Sequence, residues 1–218
     1  MPRQSFQNLP PERRREILDV AVEEFAASGF GGTSYNKLLE RLGLGKSSAY
    51  YYFENKRDLF LTAVADCYAR YFERVSVHEE PRTPGEFWCF VEASAREGFD
   101  FMLDDPAASA LMRCFQREPS LLAEFGSDEL LAGMAAFYEA WVRLGQSLGA
   151  VRDDLPLALL VETARSTTLA FDQWFIAEMG RSPVDVGWLS ERYTDAMRRL
   201  LEPCGPGGLL PSPGSRRE

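Results

Sequence analysis

The sequence predicts an all-α protein with an N-terminal helix-turn-helix domain and a larger helical domain after it. Apolar residues recur every three to four positions along most of the chain, which is the spacing of one helix face. No segment alternates apolar and polar residues for long enough to indicate a β-strand. Proline, glycine and acidic residues divide the periodic segments into about nine helices.

The first long helix is expected to begin at Pro10 and Pro11, because a missing backbone N–H costs nothing in the first turn. Glu12 suits the positive end of the helix dipole. The inward stripe of this helix consists of Ile17, Ala21, Val22 and Phe25.

Residues 33–56 then predict two short helices joined by a glycine-bearing turn. The hydroxyl of Thr33 is expected to cap the first of them. Its apolar face consists of Leu38, Leu39 and Leu42. Gly43 suits the left-handed position that ends a helix, and the second helix opens at Gly45 or Lys46. In a helix-turn-helix, the second helix enters the DNA major groove.

The order of these segments resembles the N-terminal domain of the TetR family of transcriptional repressors. The matching segments are ILDVAVEEFAASGF at 17–30, TSYNKLLERLGL at 33–44 and SSAYYYFENKRDLF at 47–60. The sequence departs from the family pattern at Leu38-Leu39, at Gly45 and at Ser47. The last two departures lie close to the expected DNA, so the resemblance leaves the base contacts open.

The resemblance implies double-stranded DNA with a palindromic operator as a partner, and a recognition helix from Lys46 to Tyr52. The residues that would read base edges are Lys46, Ser47 and Ser48, although Lys46 is also compatible with a plain solvated lysine. Further DNA contacts are expected from Tyr50, Tyr51, Tyr52 and Lys56, and from the start of the preceding helix at Thr33, Ser34, Tyr35 and Asn36. Arg3, Arg13, Arg14 and Arg15 either reach the DNA or are solvated.

The rest of the chain is predicted to be helical up to a Pro/Gly/Ser-rich tail. Asn55, followed by Asp58, indicates a helix start, with the helix running to about Val75. Further helices are expected at about 85–103, 107–116, 129–148, 156–179 and 183–201. The predicted domains are 1–54 for DNA binding and 55–202 for ligand binding and dimerisation, with a disordered tail at 203–218.

Charge is divided unevenly along the chain, whose formal net charge is −9. Residues 1–57 hold nine Lys/Arg against seven Asp/Glu, whereas the remaining residues hold fifteen against twenty-six. A mildly basic segment joined to an acidic one is what a DNA-contacting domain on a non-DNA-binding domain should show.

Several function classes are disfavoured. His78 is the only histidine and the four cysteines form no CxxC pair, which argues against a zinc site, a disulfide framework and catalysis. No cofactor or metal is expected. The chain has no apolar run long enough to cross a bilayer, so we expect a soluble cytoplasmic protein without a membrane partner.

Large aromatic residues at helical spacing mark three helices of the acidic domain, and in the family such helices enclose an effector pocket. The candidate ligand-binding residues are Trp88, Glu92, Phe99, Met102, Phe137, Trp141, Thr168, Phe171 and Trp174. Arg165 and Asp172 are weaker polar candidates. Core packing is the alternative for any single aromatic, but the set favours a small hydrophobic or aromatic ligand.

The resemblance implies a homodimer, and the last two helices are expected to form its contact across a two-fold axis. The alternative is that their apolar stripes pack only within the subunit. The stripes proposed for the dimer contact are Leu157, Leu160, Val161 and Ala164 on one helix, and Trp188, Leu189, Tyr193, Ala196, Met197 and Leu200 on the other. The resemblance thus implies an effector-released transcriptional repressor. Two alternatives are a DNA-binding dimer controlled by a protein partner and, more remotely, an enzyme acting on the pocket ligand.

Overall fold

The computed structural model describes residues 2–76, 78–116, 129–179 and 181–203, without the side chains of 129–131. Every regular element in these ranges is an α-helix, which confirms the predicted class. The helices are α1 (Gln4–Gln7), α2 (Pro11–Gly32), α3 (Tyr35–Arg41), α4 (Lys46–Tyr52), α5 (Lys56–Val75), α6 (Pro84–Asp104), α7 (Pro106–Gln116), α8 (Glu129–Ser147), α9 (Leu157–Glu178) and α10 (Val186–Leu201). The predicted tail lies outside the described residues, except for Pro203.

Four side-chain caps fix where helices of the larger domain begin, because each accepts the otherwise unpaired N–H three residues later. The caps are Asn55, Thr83, Asp105 and Asp185, with oxygen–nitrogen distances of 3.0, 3.2, 2.9 and 3.0 Å. The predicted start at Asn55 is confirmed. The predicted start at Pro183 is wrong, since α10 begins at Val186 after the Asp185 cap.

The buried apolar residues form two clusters, which we call the head core and the body core. The head core is built by α1 to α5 together with the end of α6 and all of α7, and includes Phe25, Phe60, Phe101, Leu111 and Phe115. The body core lies among α6, α8, α9 and α10. The core around the helix-turn-helix therefore extends well beyond residue 54.

The α5 and α6 helices connect the two cores. Tyr71 of α5 packs against both clusters, whereas α6 places Phe101 in the head core and Phe99 in the body core. A helix of twenty residues such as α5 is about 30 Å long at ~1.5 Å per residue. One rigid element therefore runs from the end of the helix-turn-helix into the larger domain.

Candidate nucleic-acid interface and ligand cavity

The turn between α3 and α4 is closed by two backbone hydrogen bonds. The Leu44 N–H donates to the Leu39 carbonyl at 2.9 Å, and the Gly43 N–H donates to the Glu40 carbonyl at 3.0 Å. This pairing needs a left-handed residue, and Gly43 supplies it with φ of 64°. The predicted helix end at Gly43 is confirmed.

One side of α4 is fixed to the head core and the other faces solvent. Ala49 and the following Phe53 are completely buried. Tyr50 and Tyr51 are 51% and 64% exposed, so part of the tyrosine run faces outward. The exposed residues of α4 are Lys46, Ser47, Ser48, Tyr50 and Tyr51. Together they present an ammonium, two hydroxyls and two phenols on one surface.

The start of α3 adds two exposed polar side chains, Ser34 and Asn36, while Tyr35 is half-buried against the head core. Burial, with the nearby Tyr50 and Asp58, raises the pKa of Tyr35 to about 12. Tyr52 is also half-buried against the head core.

Thr33 does not cap α3, so that prediction is wrong. Ser34 occupies the N-cap position without a side-chain cap, and Thr33 is buried. The Thr33 hydroxyl donates to the Gly29 carbonyl at 2.7 Å, where Gly29, with φ of 67°, bends the end of α2. Thr33 therefore fixes the junction between α2 and α3, and its buried hydroxyl is engaged by carbonyls of α2.

The Lys56 ammonium contacts the end of α2 within the protein, although its expected role was a contact with a DNA phosphate. Its Nζ donates to the carbonyls of Phe30 at 2.7 Å and Thr33 at 3.0 Å, and lies 4.5 Å from the centroid of the Phe30 ring. The geometry gives Lys56 a bridging role between α5 and the end of α2.

Residues before α2 support the carboxyl end of α4, a feature that sequence reasoning missed. The Arg3 N–H donates to the Tyr52 carbonyl at 3.0 Å, and the Ser5 hydroxyl donates to the Tyr51 carbonyl. The Phe6 ring is buried with its centroid 4.8 Å from that of Phe53. These contacts satisfy helix-end carbonyls that have no partner within α4.

A cavity of about 50 Å³ lies between α5, α6, α8, α9 and α10. Its lining residues are Tyr71, Val75, Val91, Ser94, Ala95, Gly98, Phe99, Phe137, Tyr138, Thr168, Asp172 and Tyr193. The walls are aromatic and apolar, with hydroxyls and one carboxyl group among them. The Thr168 and Tyr193 hydroxyls lie 2.9 Å apart and share a hydrogen bond.

Asp172 is the acidic group of this cavity. Burial raises the pKa of its carboxyl to about 7. Burial, together with the field of Asp172, also raises the pKa of Tyr138 to about 12 and places the pKa of Tyr71 and Tyr193 well above the ordinary value. An acid within the apolar stretch TLAFDQWFI was the sequence signal for this residue.

Only Phe99, Phe137 and Thr168 of the predicted ligand-binding residues line the cavity. Trp88 and Met102 are buried in the body core, and the ring centroids of Trp141 and Phe87 lie 5.1 Å apart. The ring centroids of Phe171 and Tyr193 lie 5.4 Å apart.

The other predicted positions are nearer the surface. Trp174 is 46% exposed, Glu92 is half-buried outside the cavity, and Arg165 pairs with Glu162 at 2.6 Å. The predicted helices therefore surround the cavity, and of the three charged candidates Asp172 lines it whereas Glu92 and Arg165 do not.

The proposed dimer stripes are divided between an inner and an outer face. Leu160, Ala164, Leu189, Tyr193 and Met197 are buried within the subunit. The large apolar residues exposed on α9 and α10 are Leu159, Trp174, Trp188 and Leu200. Only Trp188 and Leu200 of the predicted contact residues thus combine large size with exposure.

The described part of the chain contains neither a membrane span nor a metal-binding cluster. No described helix combines the length and apolar character that membrane crossing requires. Among the same residues, no three His, Cys, Asp or Glu side chains cluster closely enough to hold a metal ion.

Comparison with known proteins links the helix-turn-helix region to a family of regulators. Residues 17–63 match the family model described as bacterial regulatory proteins, tetR family. The chain is 34% identical over 96 residues to the uncharacterized HTH-type transcriptional regulator YezE of Bacillus subtilis, covering 43% of this chain and 47% of that protein. It is 25% identical over 138 residues to the HTH-type transcriptional regulator RutR of Escherichia coli K12, covering 62% and 64%. The matches therefore span less than two thirds of these relatives.

The fold also resembles that of solved regulators over most of its length. The transcriptional regulator FadR from Bacillus subtilis, solved in complex with stearoyl-CoA, superposes with a TM-score of 0.69. That likeness covers 84% of this chain and 96% of the other at 18% identity. At such low identity, it shows a common fold.

Proposed function

Because the chain belongs to the tetR family of bacterial regulatory proteins, we propose that it is a transcriptional regulator that binds a palindromic operator as a homodimer. Its default action is repression, and a small hydrophobic or aromatic effector releases it from DNA. Residues 1–54 form the DNA-binding unit, and 55–202 bind the effector and dimerise.

The observation that carries this proposal is the exposed face of α4. Buried Ala49 and Phe53 hold the helix so that Lys46, Ser47 and Ser48 project at its amino end. In a helix-turn-helix this end meets base edges, where Lys donates to guanine and Ser pairs with several bases. Tyr50, Tyr51, Ser34 and Asn36 flank that end and would position the helix through the phosphates.

A dimer supplies the second recognition helix that a palindrome requires. The outer face of α9 and α10 is its proposed contact, with Leu159, Trp174, Trp188 and Leu200 as apolar anchors. An isologous pairing of two such helix pairs buries these side chains around a two-fold axis.

Effector control would act through α5. This helix begins next to α4 and reaches the cavity through Tyr71 and Val75, so a ligand that moves its far end also moves the head. DNA selects the dimer conformation in which the two helix-turn-helix units are correctly spaced, whereas the effector selects a conformation in which this spacing misfits the DNA. The effector can shift the equilibrium between the two conformations only by its difference in affinity for them. The neighbour solved with stearoyl-CoA supports the idea that this fold accepts a ligand.

The test is selection of DNA from a random duplex pool with the full chain, followed by a ligand-library thermal-shift screen. Enrichment of an inverted repeat, bound as two chains per site, supports the regulator proposal. A compound that stabilises the protein and releases this DNA supports effector control. Failure to enrich any palindrome overturns the DNA-binding function.

A second candidate is a DNA-binding dimer controlled by a protein partner. The small cavity favours it, because about 50 Å³ is little space for a drug-sized ligand. Operator binding with no stabilising compound in the screen, together with operator release by a purified partner, distinguishes this candidate from the first.

A further inference from the structure

We propose that the cavity around Asp172 selects ligands with a positively charged head, such as a protonated primary amine, over neutral or anionic ligands of the same shape. The proposal rests on the proposed effector function and names the chemical class that the site takes. It stands on the position of one carboxyl group among aromatic rings.

Asp172 lies on the cavity wall, and no described Lys, Arg or His forms an ion pair with it. Burial alone accounts for the rise in its pKa. Arg165 lies on the same helix as Asp172, but its guanidinium donates to the Glu162 carboxylate, with nitrogen–oxygen distances of 2.6 and 2.9 Å. The Asp172 carboxyl group is therefore available to a ligand in the cavity.

Among the described residues, the titratable groups whose pKa Asp172 raises are all phenols. They are Tyr68 and Tyr71 from α5, Tyr138 from α8 and Tyr193 from α10. The α6 part of the wall consists of Val91, Ser94, Ala95, Gly98 and Phe99, none of which is charged. The pKa of each phenol lies far above neutrality, so these groups stay neutral and supply no counter-charge.

A carboxyl group in such surroundings is stable in two forms. It is either protonated, or ionised beside a cation that compensates for the lost hydration. Aromatic faces stabilise the same cation, because their ring quadrupole is negative above the plane. Phe99, Phe137 and Tyr138 supply rings on the cavity wall. A cationic group satisfies both features, whereas an anionic group meets repulsion from ionised Asp172.

The dimensions of the cavity suit the charged headgroup of the proposed ligand. A single water needs ~10–15 Å³ of cavity volume, so about 50 Å³ accommodates only a few heavy atoms. An ammonium with its first carbons fits this space, and the lining hydroxyls of Ser94 and Thr168 lie at the same cavity as acceptors for its hydrogens.

The experiment uses the full chain and two matched probe series. The first is butylamine, 1-butanol and butyrate, and the second is phenethylamine, 2-phenylethanol and phenylacetate. Isothermal titration near neutral pH should show at least one amine binding about tenfold or more tightly than its alcohol, with its carboxylate weaker still. Amine binding should release protons at about pH 6.5, because it favours ionised Asp172; titration in phosphate and in PIPES, which have different ionisation enthalpies and contain no primary amine, measures this release.

Asp172→Asn should remove the amine preference and the proton release, and should leave alcohol binding within about twofold. Glu191→Gln, at an exposed position on α10, is the matched control and should behave as wild type. Equal binding of amine and alcohol, persistence of the preference in Asp172→Asn, or no binding by any probe would overturn the proposal.

Operator binding of the same preparations separates this proposal from the proposed function. Protein that binds a selected palindrome but shows no amine preference retains the regulator function and loses the ligand class. Protein with an amine preference but no palindrome retains the ligand class and loses the regulator function.

Discussion

Arg70 joins α5 to the junction of α6 and α7 through Asp105, with its Nη1 2.6 Å from the carboxylate Oδ2. The same guanidinium also contacts Asp66 at 3.1 Å, and Asp66 in turn pairs with Arg15 of α2 at 2.6 Å. Three helices around the head core are thus connected by one chain of alternating charges.

Asp105→Asn should destabilise the protein by about 1 kcal/mol, because it removes the ion pair to Arg70 while asparagine keeps the cap of α7. Urea unfolding measures the difference. Asp104→Asn is the control, since Asp104 pairs with Arg74 but its side chain is 66% exposed, and its effect should stay within ~0.5 kcal/mol. Equal effects of the two substitutions would contradict a special role for Asp105.

Lys56→Met should lower stability by about 2 kcal/mol or more, because it leaves the carbonyls of Phe30 and Thr33 without their charged donor. The exposed Lys37 of α3 is the control, and Lys37→Met should leave the unfolding midpoint unchanged. An unaltered midpoint for Lys56→Met with weaker operator binding would restore the phosphate role.

Lys46→Ala should weaken operator binding by about 1–3 kcal/mol if the ammonium reads a base, without changing thermal stability. A purely phosphate-directed lysine would instead weaken all duplexes alike and reduce the salt slope by about 1. Fluorescence anisotropy over a salt series distinguishes these outcomes. Arg143→Ala removes the same charge from exposed α8 and should leave affinity unchanged; matching losses would mean that only net charge matters.

The half-buried Asp172 should make stability fall as pH rises. The pKa of Asp172 is raised to about 7 from 3.8, so between these values the folded state binds more protons than the unfolded state. Stability contributed by the protonated group is present at low pH and is lost up to about pH 7. Asp172→Asn should therefore resemble wild type only near or below pH 4, should exceed its melting temperature increasingly as pH rises towards 7, and should exceed it by several degrees near pH 8. A pH-independent difference would show that Asp172 does not titrate in this range.

Gly98→Ala should displace Tyr71, because the added Cβ would lie 2.9 Å from its hydroxyl oxygen. We expect weaker binding of any cavity ligand and no gain in stability. Gly85→Ala on the same helix meets nothing within 4 Å and should raise stability by up to about 1 kcal/mol through helix propensity. An equal gain at Gly98 would mean that the Tyr71 ring moves freely.

Helix positions in this protein were predictable because their signals are local. Asn55 marks the start of α5 by a bond to its own helix, and Gly43 ends α3 by its own conformation. The short α1 has no such signal. Its Phe6 is buried only because Phe53, far along the sequence, provides the surface for it.

The sequence predicted which helices surround the cavity, but not which of their residues line it. Neighbouring positions on a helix differ by about 100° in direction, so aromatic spacing fixes a stripe only to within a broad arc. Tertiary packing then turned Phe137 and Tyr138 towards the cavity and set Trp141 against Phe87. The role of Lys56 depended in the same way on carbonyls that the bend at Gly29 brings close.

The head core sets a boundary for protein engineering. A chimaeric regulator cut at residue 54 would expose Phe25 where Phe60 and Phe115 now cover the same cluster, with the Phe25 and Phe60 centroids 5.0 Å apart. A DNA-binding domain that is transferred to another protein must therefore include α5 and α7. Exchange of operator specificity between relatives is better made by substituting the solvent-facing residues of α4 alone.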